Sequence, residues 1–266
     1  MARSTYISEN LTQSQLDVML LLDENEIDIF SLADLKELVS DSSEDINEII
    51  ENLVHKKIIS RIERGKYCRT NFRDEKVIGC FLVSDGVIAY WSALNLHGLT
   101  EQFSNNIFIQ TTRVKKDKTV FGIKYQFVKI KETKRAGVST EGFGNHKYRL
   151  TDKEKTIVDC FDLPQYSGGY PELIRAFSQT EIDQDKMIQY CQSIGNISVI
   201  KRLAFLTELL KKPKMLRFLK YAEGKVNPRY ILIDPFGEEE GDFNSKWKLR
   251  LNISEEEIVG ICNTQY

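Results

Sequence analysis

Between Ser31 and Arg69 two short amphipathic segments run straight into a basic hairpin, and few small folds accommodate that order. Ser31 stands as an N-cap ahead of a helix that turns Leu35, Leu38 and Val39 to one side, and a second helix turns Ile46, Ile49, Ile50 and Leu53 to one side. Between them Ser40-Asp41-Ser42-Ser43 offers side-chain oxygens for a turn, and Glu44 and Asp45 favour the positive end of the second helix. Past Lys57, Ile58 and Ile62 are expected on one strand face with Arg61 on the other. Gly65 supplies the positive φ of a tight reversal before Tyr67 and Arg69 return. Upstream, residues 12–25 hold Leu16, Met19, Leu20 and Asp23 at helical spacing, a third helix to close the core. The order predicts a winged helix-turn-helix over residues 1–74, with Arg64-Gly65-Lys66 at the tip of the wing.

The rest of the 266 residues suffices for one further domain, 75–266. Helical runs are expected at 77–83 and 87–97, then strands at 107–112, 119–130, 136–140 and 147–150. From Thr151 the pattern turns helical, at 151–161, 171–177, 184–194, 197–211 and 215–221, with late strands at 230–233 and 247–253 and a last helix capped by Ser254. The expected fold class is α+β: a winged helix followed by a larger mixed domain with a small, largely antiparallel sheet and a helical C-terminal half. No apolar run approaches the ~18 residues of a membrane span and the start lacks an apolar signal core, so a soluble protein with no membrane partner is expected. The cysteines, Cys68, Cys80, Cys160, Cys191 and Cys262, are odd in number and share no C-x-x-C spacing. That argues against a disulfide framework or a zinc site and suits a reducing cytoplasm; no metal or other cofactor is expected.

The formal net charge of −2 hides a division along the chain. Through Glu75 nine Lys and Arg face sixteen Asp and Glu, residues 76–150 carry twelve against five, and the remainder sixteen against eighteen. Within the first part, Lys56, Lys57, Arg61, Arg64, Lys66, Arg69 and Arg73 accompany a single acid, Glu63, so positive charge gathers where a wing would meet phosphate. Candidate DNA contacts are therefore Arg61, Arg64, Lys66 and Arg69 on the hairpin, together with Ser42, Ser43 and Asn47 at the N-terminal end of the second helix, where bases are read. The outward face of that helix, Glu44, Glu48, Glu51 and His55, repels phosphate, so affinity has to come from the hairpin and the cationic middle of the chain. Lys115, Lys116 and Lys118, with Arg113, lie between two strands, where a basic loop can track phosphates or simply keep a hairpin soluble. Lys201, Arg202, Lys212, Lys214 and Arg217, with Lys211, crowd two helices, either as a further basic face or as complements of helix dipoles.

Three segments, Arg61-Ile62-Glu63-Arg64-Gly65-Lys66-Tyr67, Ser92-Ala93-Leu94-Asn95-Leu96-His97-Gly98-Leu99-Thr100, and Tyr148 through Asp159 with Glu154-Lys155-Thr156-Ile157 at its centre, stand in an order and spacing that resembles the AbiEi family. These are antitoxins and repressors of bacterial abortive-infection operons, type IV toxin–antitoxin systems of phage defence. The resemblance covers about the first two thirds of the chain. It implies an N-terminal DNA-binding domain that represses its own operon at inverted repeats in double-stranded DNA, and a larger C-terminal domain needed for antitoxicity. It also implies a nucleotidyltransferase-like toxin, counteracted without a stable complex.

Two other readings compete. An enzyme acting on nucleic acid would need a motif, yet the sequence has no P-loop, no Gly-x-Ser-x-Gly, no His-Glu-x-x-His and no Gly-Ser followed by paired aspartates. Asp234, Glu240, Asp242 and Lys246 could serve a nuclease, but Glu238-Glu239-Glu240-Gly241-Asp242 reads as an exposed acidic loop. A regulator whose second domain senses a small ligand is the other alternative. His97 is expected to be structural, at the end of a helix stopped by Gly98; Thr151-Asp152-Lys153-Glu154 fits a capping box, and Asp159 and Asp162 are expected on a solvated helix surface.

Overall fold

The computed structural model describes residues 10–39, 45–102 and 104–263. The chain divides into two compact units, one running to Ser84 and taking in Gly142–Lys147, the other comprising Asp85–Glu141 and the chain from Tyr148. The first unit holds α1 (Gln13–Glu24), β1 (Ile29–Ser31), α2 (Leu32–Leu38), α3 (Ile46–His55), β2 (Ile59–Glu63), β3 (Lys66–Arg69) and α4 (Glu75–Leu82). The division expected after residue 74 thus falls beyond α4.

Local chemistry explains most of these elements. Thr12 and Ser31 each form a capping box, with Gln15 and Asp34, and so fix the starts of α1 and α2. The strands pair antiparallel in the order β1-β3-β2, and Gly65, at φ +74°, closes the turn between β2 and β3. Ile46, Ile49, Ile50 and Leu53 of α3 pack with Val18, Leu22, Phe30, Leu35, Ile59 and Tyr67. Two expected faces are corrected. In α1 the inward stripe is Gln15, Val18 and Leu22, whereas Leu16 and Leu20 are 40% and 55% exposed. Gln15 tolerates burial because its Oε1 accepts from the Thr12 N–H and the Lys56 ammonium. In β2 it is Ile59, not Ile58, that is buried with Ile62, because a register shift between Arg61 and Glu63 breaks the alternation.

In the second unit β4 (Val87–Ile88), α5 (Tyr90–Leu96), β5 (Asn106–Thr111), β6 (Lys118–Val120), β7 (Ile123–Lys129), β8 (Val138–Glu141) and β9 (Tyr148–Thr151) build a six-stranded sheet in the order β6-β7-β5-β4-β9-β8, with α5 following β4. The β5–β7 and β4–β9 pairs are parallel and the other three antiparallel, so the sheet is mixed rather than largely antiparallel. The run at 87–97 splits into β4 and α5, and the run at 119–130 reverses at Phe121-Gly122, both at positive φ, to give the β6–β7 hairpin. Then come α6 (Lys153–Asp162), α7 (Tyr170–Gln179), α8 (Gln184–Ile194), α9 (Ile197–Leu209), α10 (Leu216–Glu223), β10 (Ile231–Leu232), β11 (Asp242–Asn244), β12 (Leu249–Leu251) and α11 (Glu255–Asn263). β12 pairs parallel with β10 and antiparallel with β11. The architecture is mixed α+β, and among the described residues no helix is long and apolar enough to cross a membrane.

Every residue of α6 from Glu154 to Phe161 is buried, with α5, α7, α8 and α9 packed around it. Its charges are matched internally. The Lys155 ammonium pairs with the Asp159 carboxylate, which also accepts from Gln110 Nε2 at 3.0 Å. Burial pushes the Asp159 carboxyl upward even with the ammonium beside it. Asp162 accepts from Lys134 at 2.6 Å and Asn196 at 2.8 Å, so neither aspartate lies on a solvated surface. The capping box expected from Thr151 is not formed: Asp152 is the N-cap, Thr151 bonds the Thr156 hydroxyl, and Glu154 accepts from the Asp183 N–H at 3.0 Å.

Two outcomes follow from these buried charges. Lys155→Met leaves the Asp159 carboxylate buried without its cation and is expected to cost about 3–5 kcal/mol in urea denaturation; a loss below about 1 kcal/mol would refute the pairing. Burial raises the Asp85 carboxyl, but hydrogen bonds from Thr111 Oγ1, the Thr112 N–H and Thr112 Oγ1 outweigh it and bring the pKa to about 2. A lowered pKa means stability held above the unfolded value of 3.8 and lost as pH falls towards about 2. The unfolding free-energy gap between the native protein and Asp85→Ala should therefore narrow across that interval, and a constant gap would rule the network out.

Candidate nucleic-acid interface

α3 begins at Asp45, whose Oδ1 accepts from the Asn47 N–H at 2.9 Å and from the Asn47 side-chain amide. These two bonds hold the Asp45 carboxyl below its usual value. Asn47 is half-buried at the N-terminal turn, while Glu48 and Glu51 are exposed on the outward face. Ser42 and Ser43, with the turn expected at 40–44, lie outside the described residues. The acidity of the α3 face is partly met from the hairpin: the Arg61 guanidinium pairs with Glu51 and stands 5.8 Å from the centre of the Tyr67 ring.

Most of the other hairpin cations have partners inside the unit. Lys66 donates to the carbonyls of Phe81 at 2.9 Å and Leu82 at 2.7 Å, at the negative end of α4, and lies 3.0 Å from Glu63. Arg69 binds Asp23 at 2.6 Å and the Ile27 carbonyl at 3.1 Å, tying β3 to the segment after α1. Lys56 donates to the Asn10 carbonyl and to Gln15. The Gly65 carbonyl accepts from the Leu32 N–H at 2.9 Å, which anchors the tip on the start of α2. Arg61, Lys66 and Arg69, expected to face phosphate, are thus each engaged by carboxylates or helix-end carbonyls within the unit. Arg64 is exposed at the tip, with no hydrogen bond or ion pair to a described residue.

The second unit carries the denser basic surface. Residues 113–131 hold Arg113, Lys115, Lys116, Lys118, Lys124, Lys129 and Lys131 against one acid, Asp117. Arg113, Lys116, Lys124, Lys129 and Lys131 are exposed on and around the β6–β7 hairpin, Lys118 is half-buried, and the Lys115 ammonium lies 5.5 Å from the centre of the Phe127 ring. Sequence reasoning singled out the loop and missed Lys124, Lys129 and Lys131; the signal was the Phe121-Gly122 reversal, which folds the second half of the run back beside the first.

The basic run of 201–217 is not one face. Lys201 and Arg202 are buried, at 1% and 7% exposure, and Arg202 donates twice to the Leu232 carbonyl at 3.1 Å. Lys212 caps the end of α7 through the carbonyls of Ser178 at 2.9 Å and Thr180 at 2.5 Å. Burial lowers the pKa of all three. Arg217 pairs with Asp185 at 2.8 Å, and Lys214 is exposed. His97 Nε2 lies 2.7 Å from the Thr151 carbonyl, a structural contact. Lys246 pairs with Glu208 and Glu223, and Asp242 opens β11. All five cysteines are free, and among the described residues no group of three or more His, Cys, Asp or Glu is placed to hold a metal ion.

No protein-family model matches the chain, and no curated protein matches it. Among solved structures it is similar to the Rv2827c protein of Mycobacterium tuberculosis, with a TM-score of 0.65 at 13% identity over 96% of this chain and 97% of that one. At this identity the likeness is one of fold.

The geometry separates two neighbouring cations that look alike in sequence. Lys66→Ala removes the donor to two carbonyls and is expected to cost about 1–3 kcal/mol in urea denaturation. Arg64→Ala should stay within about 0.5 kcal/mol of the native protein. Equal effects would contradict the division between anchor and free head.

Proposed function

We propose that the first unit is a winged helix that binds double-stranded DNA, and that the chain is an autorepressor and antitoxin of AbiEi type. The observation that carries this reading is the order α1-β1-α2-α3-β2-β3, with β1 completing the sheet of the hairpin and α3 buried along one stripe only. Such a helix can enter a major groove, with Asn47 at the end that meets bases and Arg64 on the backbone. The outward Glu48 can accept from the N4 amine of cytosine. Non-specific attraction comes mainly from the exposed cations around β6–β7, not from the hairpin. Two copies would meet an inverted repeat. In this reading the protein acts by binding and not by catalysis, and the partner its second unit counteracts is a nucleotidyltransferase-like toxin, without a stable complex.

Fluorescence anisotropy with the chain's own promoter DNA and a scrambled duplex tests the proposal. The promoter should bind more tightly, and log Kd should rise steeply with log salt. Arg64→Ala is expected to reduce that slope by about one phosphate contact, and joint replacement of Arg113, Lys116 and Lys129 by alanine by up to about three. Asn47→Ala should narrow the preference for the promoter by about 1–3 kcal/mol. Equal affinity of the native protein for both duplexes would defeat the reading.

A further inference from the structure

β10, β12 and the segments flanking them enclose an open cavity of about 400 Å³, a volume suited to a small molecule. Three arginines line it, Arg202, Arg229 and Arg250. Arg202 is 7% exposed and bonds only a carbonyl, that of Leu232. Arg250 Nε is buried with no hydrogen-bond partner. Among the described residues none of the three has a carboxylate within ion-pair distance; Glu239 on the lining, and Asp234, whose charge acts on Arg202 from farther away, leave positive charge in excess. Arg202 is the buried member of the set, Arg250 is half-buried with its guanidinium 5.4 Å from the centre of the Phe243 ring, and Arg229 is exposed, so the lining presents cationic donors suited to an anion.

The surroundings reinforce that charge. The Lys201 ammonium, bonded to Asn227 Oδ1 at 2.7 Å and the Arg229 carbonyl at 2.5 Å, fixes the segment that carries Arg229. Its burial, with Arg229 and Lys248 adding like charge, lowers its pKa. The cavity also has an aromatic wall. Tyr230 and Phe243 meet edge to face with ring centres 5.1 Å apart, and Phe243 is 62% exposed. The Arg250 guanidinium already stands against the Phe243 ring, so a flat ring laid on the exposed part of Phe243 and an anionic group that reaches the arginines would use both halves of the lining.

We propose that this cavity is a binding site for a small phosphorylated compound carrying a planar ring, of mononucleotide size. The site is independent of the DNA-binding reading and lies on elements that reading does not use.

Isothermal titration of the full chain with AMP, GMP, CMP and UMP tests it, with the matching nucleosides and inorganic phosphate as controls. At least one mononucleotide should bind at least ten times more tightly than its nucleoside and than phosphate. Arg229→Gln and Arg250→Gln should each weaken it roughly tenfold or more, the loss of one charge-assisted hydrogen bond, and Phe243→Ala several-fold. Arg229→Gln, on an exposed side chain, should melt with the native protein. Absence of binding by all four at millimolar concentration, or affinity unchanged in both arginine variants, would overturn the proposal. Inorganic phosphate binding as tightly as the mononucleotides would overturn the ring-binding half, and displacement of the bound mononucleotide by duplex DNA alone would assign the arginines to a nucleic-acid backbone instead.

Discussion

The second unit is organised around a helix whose residues from Glu154 to Phe161 have no solvent face. Because α6 is covered by α5, α7, α8 and α9, each polar residue it carries must be satisfied by a named neighbour or remain at a cost of several kcal/mol. Lys155 and Asp159, one turn apart, answer each other, and Gln110 of β5 supplies a further donor, which ties the sheet to the helix by a directional bond as well as by packing. Glu154 and Asp162 reach outward in the same way, the one to the N–H of Asp183 just before α8, the other to Lys134 and Asn196. Apolar packing would allow the surrounding helices to slide; these bonds fix where α8 and α9 begin. The segment from Tyr148 to Asp159 is therefore legible as structure, whatever else it reports.

A second theme recurs in both units: long basic side chains finish helices. Lys66 ends α4 and Lys212 ends α7, each by donating to two carbonyls that have no intrahelical partner. The ammonium is suited to this because its three donors rotate freely on a flexible stem. The consequence for function is direct. A cation held at a helix end is not free to neutralise a phosphate without unmaking that end, so the number of lysines and arginines in a stretch overstates the charge it can offer a partner.

That distinction also marks what sequence alone could reach. The stripe on α3, the caps at Ser31 and Ser254, and the turn at Gly65 were legible because each depends on residues within one or two turns of each other. The inward face of α1 was not, since Gln15 becomes a core residue only when Lys56, remote in sequence, arrives to bond it. Nor were the parallel pairs β5–β7 and β4–β9, which depend on connections that local patterning does not encode. The candidate site divides along the same line. Arg64 and the 113–118 loop were found from composition and turn signals, whereas the fates of Lys66, Arg69, Lys201, Arg202 and Lys212 depended on carbonyls and carboxylates brought in from elsewhere.

On the proposed reading, this arrangement separates attraction from discrimination. The face of α3 that would enter a groove carries Glu48 and Glu51, and Arg61 offsets only the second. An acidic face penalises every duplex alike, so binding of a wrong sequence is weak unless the exposed cations of the other unit compensate. A right sequence regains free energy only through hydrogen bonds to base edges, and carboxylates accept these from cytosine amines but not from phosphates. A penalty common to all duplexes cancels from the ratio between right and wrong sequences, so the hydrogen bonds to base edges set that ratio while the acidic face keeps general affinity low; an autorepressor depends on the ratio, because the whole genome competes with one promoter.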